Sequence, residues 1–317
     1  MKRKILIPLD GSPFAERVVA FVRVIANPRT SELLLVHVTQ PSQYYAVLVP
    51  DAMHTVDVTH WQEQAENYLN RMTAELQSEG YDVTSVMTEG DVASTLCDVA
   101  DAQNVDLIAM TTHGRSGIEK WVLGSVADRV VRSARQPVFL VRPQAEQLPV
   151  TPIRRILVPL DGSLLAEKAL PEAISLAKVN SSEIWLLQSV EFPEYWGEEY
   201  AGMHALPPII STEEQEAAAR AYLLKMAEGL TAEKIPTQIV VTTGHAASAI
   251  SDVVADNDMD LIVMCTHGRS GLSRWVFGSV AEKVVRLAEC PVLLIRAQET
   301  HEEDPNVSPD QATIPTL

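Results

Sequence analysis

Cysteine is scarce in this chain. Cys97, Cys265 and Cys290 are the only three, and no two of them form a C-x-x-C pair, which excludes a disulfide scaffold and a zinc ribbon and favours a cytoplasmic setting. Positive charge is also in deficit: 25 basic residues stand against 42 acidic ones, a net charge of −17. Such a surface repels phosphate backbones and anionic lipid, so neither nucleic acid nor a membrane is an expected partner, and any anion site must come from backbone geometry. No apolar run approaches the roughly 18 residues of a membrane helix. The opening Met1-Lys2-Arg3-Lys4-Ile5-Leu6-Ile7 does not read as a signal peptide, because its apolar run breaks at Pro8-Leu9-Asp10 and the same form returns in mid-chain at Arg154-Arg155-Ile156-Leu157-Val158. Also missing are the G-x-x-x-x-G-K-[ST] loop and a glycine-rich dinucleotide fingerprint after the first apolar run, which removes P-loop and hydride-transfer enzymes from consideration.

What is present is duplication. The segment Arg3-Lys4-Ile5-Leu6-Ile7-Pro8-Leu9-Asp10-Gly11-Ser12 returns as Arg154-Arg155-Ile156-Leu157-Val158-Pro159-Leu160-Asp161-Gly162-Ser163. Residues 105–143 align without gaps on residues 259–297 with 24 identities in 39 positions, more than shared fold chemistry alone would produce. The period of about 150 residues is that of a whole domain. We therefore expect domains at 1–145 and 151–297, a proline-bearing linker between them, and a disordered acidic tail at 298–317.

Each half carries five short, nearly continuous apolar runs: 4–9, 33–38, 83–88, 106–111 and 137–142, then 156–160, 184–187, 238–242, 260–265 and 291–296. Amphipathic stretches separate them. Strands without a polar face, alternating with helices, predict an α/β domain whose five-stranded parallel sheet is covered on both faces. Ser12 followed by Pro13 predicts a helix start. Residues 40–60 and 191–211 read as long loops after the second strands, either functional lids or plain surface excursions.

Ligands of open parallel sheets sit beyond the carboxyl ends of the strands. Asp10 and Asp161 lie there. Such a carboxylate can meet a ribose, a base edge or a phosphate-borne metal, or it can simply shape the Asp-Gly-Ser turn. The fourth run of each half leads to Gly114 or Gly268, and Gly124-Ser125 or Gly278-Ser279 then opens an apolar-periodic helix starting with Val126 or Val280. Glycines admit close approach of backbone N–H groups to phosphates, and a helix N-terminus supplies free donors with a positive dipole end. Arg115 and Arg269 follow the loop glycines, either to reach a terminal phosphate or to face water. His113 and His267 have no motif-paired nucleophile and read as loop-shaping residues.

With these motifs both halves resemble the universal stress protein family, and the chain resembles a tandem member of its ATP-binding branch. The branch pattern is glycine, two residues, glycine, nine residues, glycine and serine or threonine. Here Thr111-x-x-Gly114 and Cys265-x-x-Gly268 each precede nine residues and a Gly-Ser pair, so the first glycine is replaced in both halves. The resemblance implies two Rossmann-like domains of the adenine nucleotide alpha hydrolase-like kind. It implies ATP, or AMP or ADP, as ligand, with Asp10 and Asp161 contacting the adenosine moiety or a Mg2+ ion, and with Thr111 and Cys265 small enough to be tolerated. Gly114, Gly124, Ser125, Gly268, Gly278 and Ser279 would hold phosphates, Val126 and Val280 would belong to the same nucleotide site, and Val38 would bracket adenine. Ser189 takes that place in the second half. The resemblance further implies antiparallel pairing of the two fifth strands into an intramolecular pseudo-dimer, with homodimers as a further option. It implies a regulatory stress-response role with little or no rapid catalysis, the alternatives being a slow ATPase or an interaction module of the same fold that binds no nucleotide.

Overall fold

A computed structural model describes residues 2–40, 58–112, 123–142, 152–190, 211–266 and 277–296. The first half runs β1 (Arg3–Pro8), α1 (Pro13–Ile25), β2 (Ser31–Thr39), α2 (Val58–Ser78), β3 (Asp82–Glu89), α3 (Val92–Ala102), β4 (Leu107–Thr111), α4 (Ser125–Ser133) and β5 (Val138–Val141). The second runs β6 (Arg155–Pro159), α5 (Leu164–Glu167), α6 (Leu170–Asn180), β7 (Glu183–Val190), α7 (Thr212–Ala232), β8 (Thr237–Thr243), α8 (Ala246–Asp256), β9 (Leu261–Cys265), α9 (Ser279–Leu287) and β10 (Val292–Ile295). All ten apolar runs are strands, as their pattern predicted. The central ones are buried along their whole length, β4, β5, β9 and β10 without an exposed residue.

Within each half the strands are parallel, in the order β3-β2-β1-β4-β5 and its mirror β10-β9-β6-β7-β8. The chain moves outward from β1 to β3 and then crosses back to β4, so the order reverses between β1 and β4, and likewise between β6 and β9. Those two points are where an open sheet leaves a crevice.

β5 and β10 pair antiparallel, with Leu293 opposite Phe139, and fuse the halves into one ten-stranded sheet. The expected pseudo-dimer is thus present. Two apolar layers cover the sheet across both halves: α1, α2, α6 and α7 pack on one face, and α3, α4, α8 and α9 on the other. Two arginines fasten the seam reciprocally. Arg142, just after β5, donates to the carbonyls of Arg286 and Ala288 at the end of α9. Arg296, just after β10, donates to those of Ser133 and Ala134 at the end of α4, at 3.0 and 2.8 Å. A cation beside a helix C-terminus is favourable because the last carbonyls lack helical partners.

The structure departs from the expected scheme in two details. Val58–His60 belong to α2 rather than to the preceding loop, since no glycine or proline interrupts 58–78. The second half also does not simply repeat α1. Pro171, at the start of α6, has no N–H to bond back and its ring crowds the preceding turn, so one helix becomes two. The linker residues 143–151, residues 41–57 and 191–210 of the expected loops, and the tail 298–317 lie outside the described residues.

Candidate functional site

A cavity opens at each reversal point. In the first half it measures about 390 Å³ and is walled by the ends of β1, β2 and β4 and the starts of α3 and α4. Its counterpart in the second half measures about 760 Å³, and α7 contributes Gln215, Ala218, Ala219 and Tyr222 to its wall.

Asp10 and Asp161 line these cavities. Each also shapes its turn: Asp10 Oδ1 accepts the Ser12 N–H at 2.9 Å, and Asp161 Oδ1 accepts the Ser163 N–H at 2.9 Å and the Ser163 hydroxyl at 2.6 Å. The serines in turn cap α1 and α5 through the N–H groups of Ala15 and Ala166. Between carboxylate and cap, Gly11 and Gly162 sit at φ of +82° and +83°, a region side chains disfavour.

Opposite stands the start of a helix without a side-chain cap. Gly124 and Gly278 hold the N-cap positions of α4 and α9, and each donates its N–H to a carbonyl at the end of the neighbouring strand segment, Thr112 or Thr266, at 2.9 Å. The first helical bonds run from Asp128 to Gly124 and from Glu282 to Gly278, both 2.9 Å. The amides of Ser125, Val126 and Ala127, and of Ser279, Val280 and Ala281, therefore precede the helical ladder, and all six residues line the cavities. Backbone donors at the positive end of a helix dipole are suited to an anion. Ser125 and Ser279 are first helical residues, not caps.

The two replacements in the glycine pattern are absorbed by the walls. Thr111 and Cys265 are only 7% and 6% exposed. Cys265 packs in the apolar layer beneath α6 and α7, with its Sγ 3.8 Å from the Ala166 carbonyl, and burial pushes its thiol up to about 12. Val38 packs against the α3–α4 layer at the edge of the first cavity. The strand register, Pro8 opposite Val36 and Pro159 opposite Leu187, puts Ser189 at the matching place, where its hydroxyl donates to the Gly244 carbonyl at 2.6 Å. Gly114, Arg115, Gly268 and Arg269 lie outside the described residues, as do His113 and His267.

The universal stress protein family model matches residues 1–142 and again 152–296. The chain belongs to the universal stress protein family. A universal stress protein of Methanocaldococcus jannaschii is 35% identical over 144 residues, 45% of this chain and 82% of its own length. One of Mycolicibacterium smegmatis is 24% identical over 304 residues, covering 92% of this chain and 96% of its own. The crystal structure of a universal stress protein from Archaeoglobus fulgidus superposes with a TM-score of 0.68 at 20% identity, covering 93% and 98% of the two chains, and so shares the tandem fold.

This family member carries further site residues that motif reading did not single out. His37 and Gln188, each one residue before the expected base-bracketing position, are 5% and 8% exposed in the cavity walls. Asp91 and Arg129 join at the first cavity: Arg129 donates in fork geometry to both Asp91 oxygens at 2.7 Å, and that pairing holds the carboxyl well below the usual carboxylate range. The signal for Asp91 was its place after Gly90, at the cap of α3, but its arginine lies 38 residues on and only the fold joins them. Among the described residues no group of three or more metal-ligating side chains occurs, and no helix is long and apolar enough to cross a membrane.

Proposed function

We propose that this tandem universal stress protein binds an adenine nucleotide, foremost ATP with Mg2+, in each half and serves in the cytoplasm as a regulatory nucleotide sensor in stress rather than as a rapid catalyst. The observation that carries the reading is the duplicated uncapped helix start facing a strand-end carboxylate at the reversal point of the sheet. Those amides receive phosphates without any basic cluster, which suits a chain of net charge −17. Val38, Val92 and Met110 give the first cavity the apolar wall that a base plane requires. Gly114, Arg115, Gly268 and Arg269 complete the phosphate loops by resemblance to the ATP-binding branch.

The donor set fits a magnesium ion brought by the phosphates. Mg2+ keeps water and takes one or two carboxylates plus phosphate oxygens rather than an all-protein cage, and each cavity offers one strand-end carboxylate, Asp10 or Asp161. Bound there, the ion would neutralise phosphate charge. Asp10→Asn keeps an acceptor for the Ser12 N–H, so thermal stability is expected to hold while Mg2+-dependent affinity at the first site falls.

The deciding experiment is isothermal titration of ATP with Mg2+ into nucleotide-stripped protein, repeated with Gly124→Asp and with Gly278→Asp. Two binding events, each abolished by its own substitution, are expected. Absence of heat and of any thermal shift would leave the interaction-module reading. Phosphate release at many turnovers per second would overturn the non-catalytic one.

A further inference from the structure

Gln188 places a buried amide at the end of the apolar run Ile184-Trp185-Leu186-Leu187. In β7, Ile184 and Leu186 belong to the layer beneath α6 and α7, whereas Leu187 belongs to the opposite one. The two-residue period of a strand therefore turns Gln188 toward α7, and Ala219 and Tyr222 of that helix line the same cavity. Gln188 is 8% exposed, and its Oε1 is buried with no hydrogen-bond partner among the described residues. Three donors of the same wall are committed elsewhere. The Tyr222 hydroxyl donates to Glu167 at 3.0 Å, the Ser189 hydroxyl to the Gly244 carbonyl, and the Cys265 thiol lies against the Ala166 carbonyl. An oxygen left in this state costs stability that an apolar side chain of the same size would not.

The position is polar in both halves. With Pro8 opposite Val36 and Pro159 opposite Leu187, the counterpart of Gln188 is His37, which is 5% exposed and lines the first cavity. Two polar side chains at one register, each at the end of an apolar run and each in a cavity wall, point to a ligand.

The sheet sets the order of contacts along that ligand. At its carboxyl edge the strands run β9, β6, β7. The α9 amides follow β9, Asp161 follows β6, and Gln188 stands on β7. Two strand spacings, about 10 Å, separate the first from the last. A nucleotide whose phosphates lie at the α9 amides and whose ribose passes Asp161 brings its base to Gln188. The unmet group there is an acceptor, and the only N–H donor on the base of an adenine nucleotide is the exocyclic amino group.

We propose that Gln188 is the base-reading residue of the second site, its amide oxygen accepting from the exocyclic amino group of an adenine nucleotide. This rests on the nucleotide reading above. The last torsion of a glutamine side chain is broad, so the oxygen turns to the donor while the side chain stays in the wall. One neutral hydrogen bond corresponds to about three- to tenfold in affinity.

The test is a cycle in the full chain, with Gly124→Asp closing the first site. ATP and purine riboside triphosphate, which lacks only the exocyclic amino group, are titrated with Mg2+ into this protein and into the same protein carrying Gln188→Met, a change that conserves length and volume. ATP is expected to bind about three- to tenfold more tightly than the analogue while Gln188 is present, and equally well to the Gln188→Met protein. In nucleotide-free protein Gln188→Met is expected to keep or raise the thermal midpoint, because no bond is lost. A preference for ATP that survives the substitution, or no preference in either protein, would overturn the assignment and leave the nucleotide reading intact. So would a lowered midpoint, which would show that the amide is already bonded within the protein. No binding of ATP to the protein with both sites open would overturn both.

Discussion

At the residue scale, the Asp-Gly-Ser turn shows why a short motif carries two meanings. Gly11 and Gly162 adopt φ of +82° and +83°. A Cβ on Gly11 would meet nothing within 4 Å, so conformation rather than space demands glycine there. Gly11→Ala is expected to cost about 1 kcal/mol from left-handed backbone strain, read as a lower urea midpoint with unchanged slope. The aspartate in the same turn was legible as a strand-end carboxylate, but whether it shaped the turn or faced a ligand was not, because one oxygen suffices for the turn and the residue still lines the cavity. His37 and Gln188 stayed hidden for a different reason: a polar residue inside an apolar run reads as a strand residue until the sheet end that exposes it to a crevice is known.

Cys265 supplies a prediction with a definite sign. Burial raises its thiol from 9.0 to about 12, so the native thiol keeps its proton over a range in which the unfolded one loses it. The native state then binds more protons, and stability falls as pH rises from about 9 toward 12, by up to about 1.4 kcal/mol per pH unit. Below that range the group contributes no slope. In nucleotide-free protein, Cys265→Ala should flatten the alkaline decline of the urea midpoint, whatever the substitution does to the midpoint near neutrality. An unchanged slope would mean that other groups carry the alkaline loss.

At the element scale, α4 and α9 forgo stabilisation at the end that lines the cavities. Glycine at the N-cap leaves the first-turn amides without a side-chain acceptor, whereas α7 starts with a full capping box from Ser211 and Glu214. Gly124 has φ −59° and ψ 148°, which any residue adopts. Gly124→Asp should therefore stabilise the ligand-free protein by a few tenths to about 1 kcal/mol through capping and the helix dipole, while removing nucleotide from the first site. Thermal unfolding and titration on the same sample would show the two effects with opposite sign. A fall in both would mean that the substitution damages the helix instead of occupying its cradle. The element pattern was readable in advance because strands buried on both faces leave unbroken apolar runs. The split of α5 from α6 was signalled by Pro171, but its consequence appears only beside the unbroken α1, whose matching residue is Ala20.

At the scale of the whole molecule, two copies of one domain become a single sheet through a short antiparallel seam, with three residue pairs in register between β5 and β10. So short a ladder needs other supports. Phe139 is fully buried at its centre, and Arg3 reaches across to Glu172 at 2.6 Å. The reciprocal arginines add the most directional contribution, Arg142 through both terminal nitrogens of its planar fork and Arg296 through one, on carbonyls that the helix itself cannot satisfy. Neither was visible in the sequence: Arg142 and Arg296 end matching strands, but only the antiparallel seam brings each to the opposite half's helix.

Arg142→Ala should cost about 1.5 to 3 kcal/mol, the range for hydrogen bonds from a charged donor, because it leaves carbonyls of α9 without their donor at a partly buried seam. Arg142→Lys should recover only part of that, since a point charge retains the dipole attraction but not the fork. The decisive readout is amide hydrogen exchange, in which protection should drop first in β5 and β10 and at the C-terminal turn of α9 while β2 and β7 keep theirs. Uniform loss along all strands would instead mean that the arginine supports global stability and that the two halves unfold as one unit.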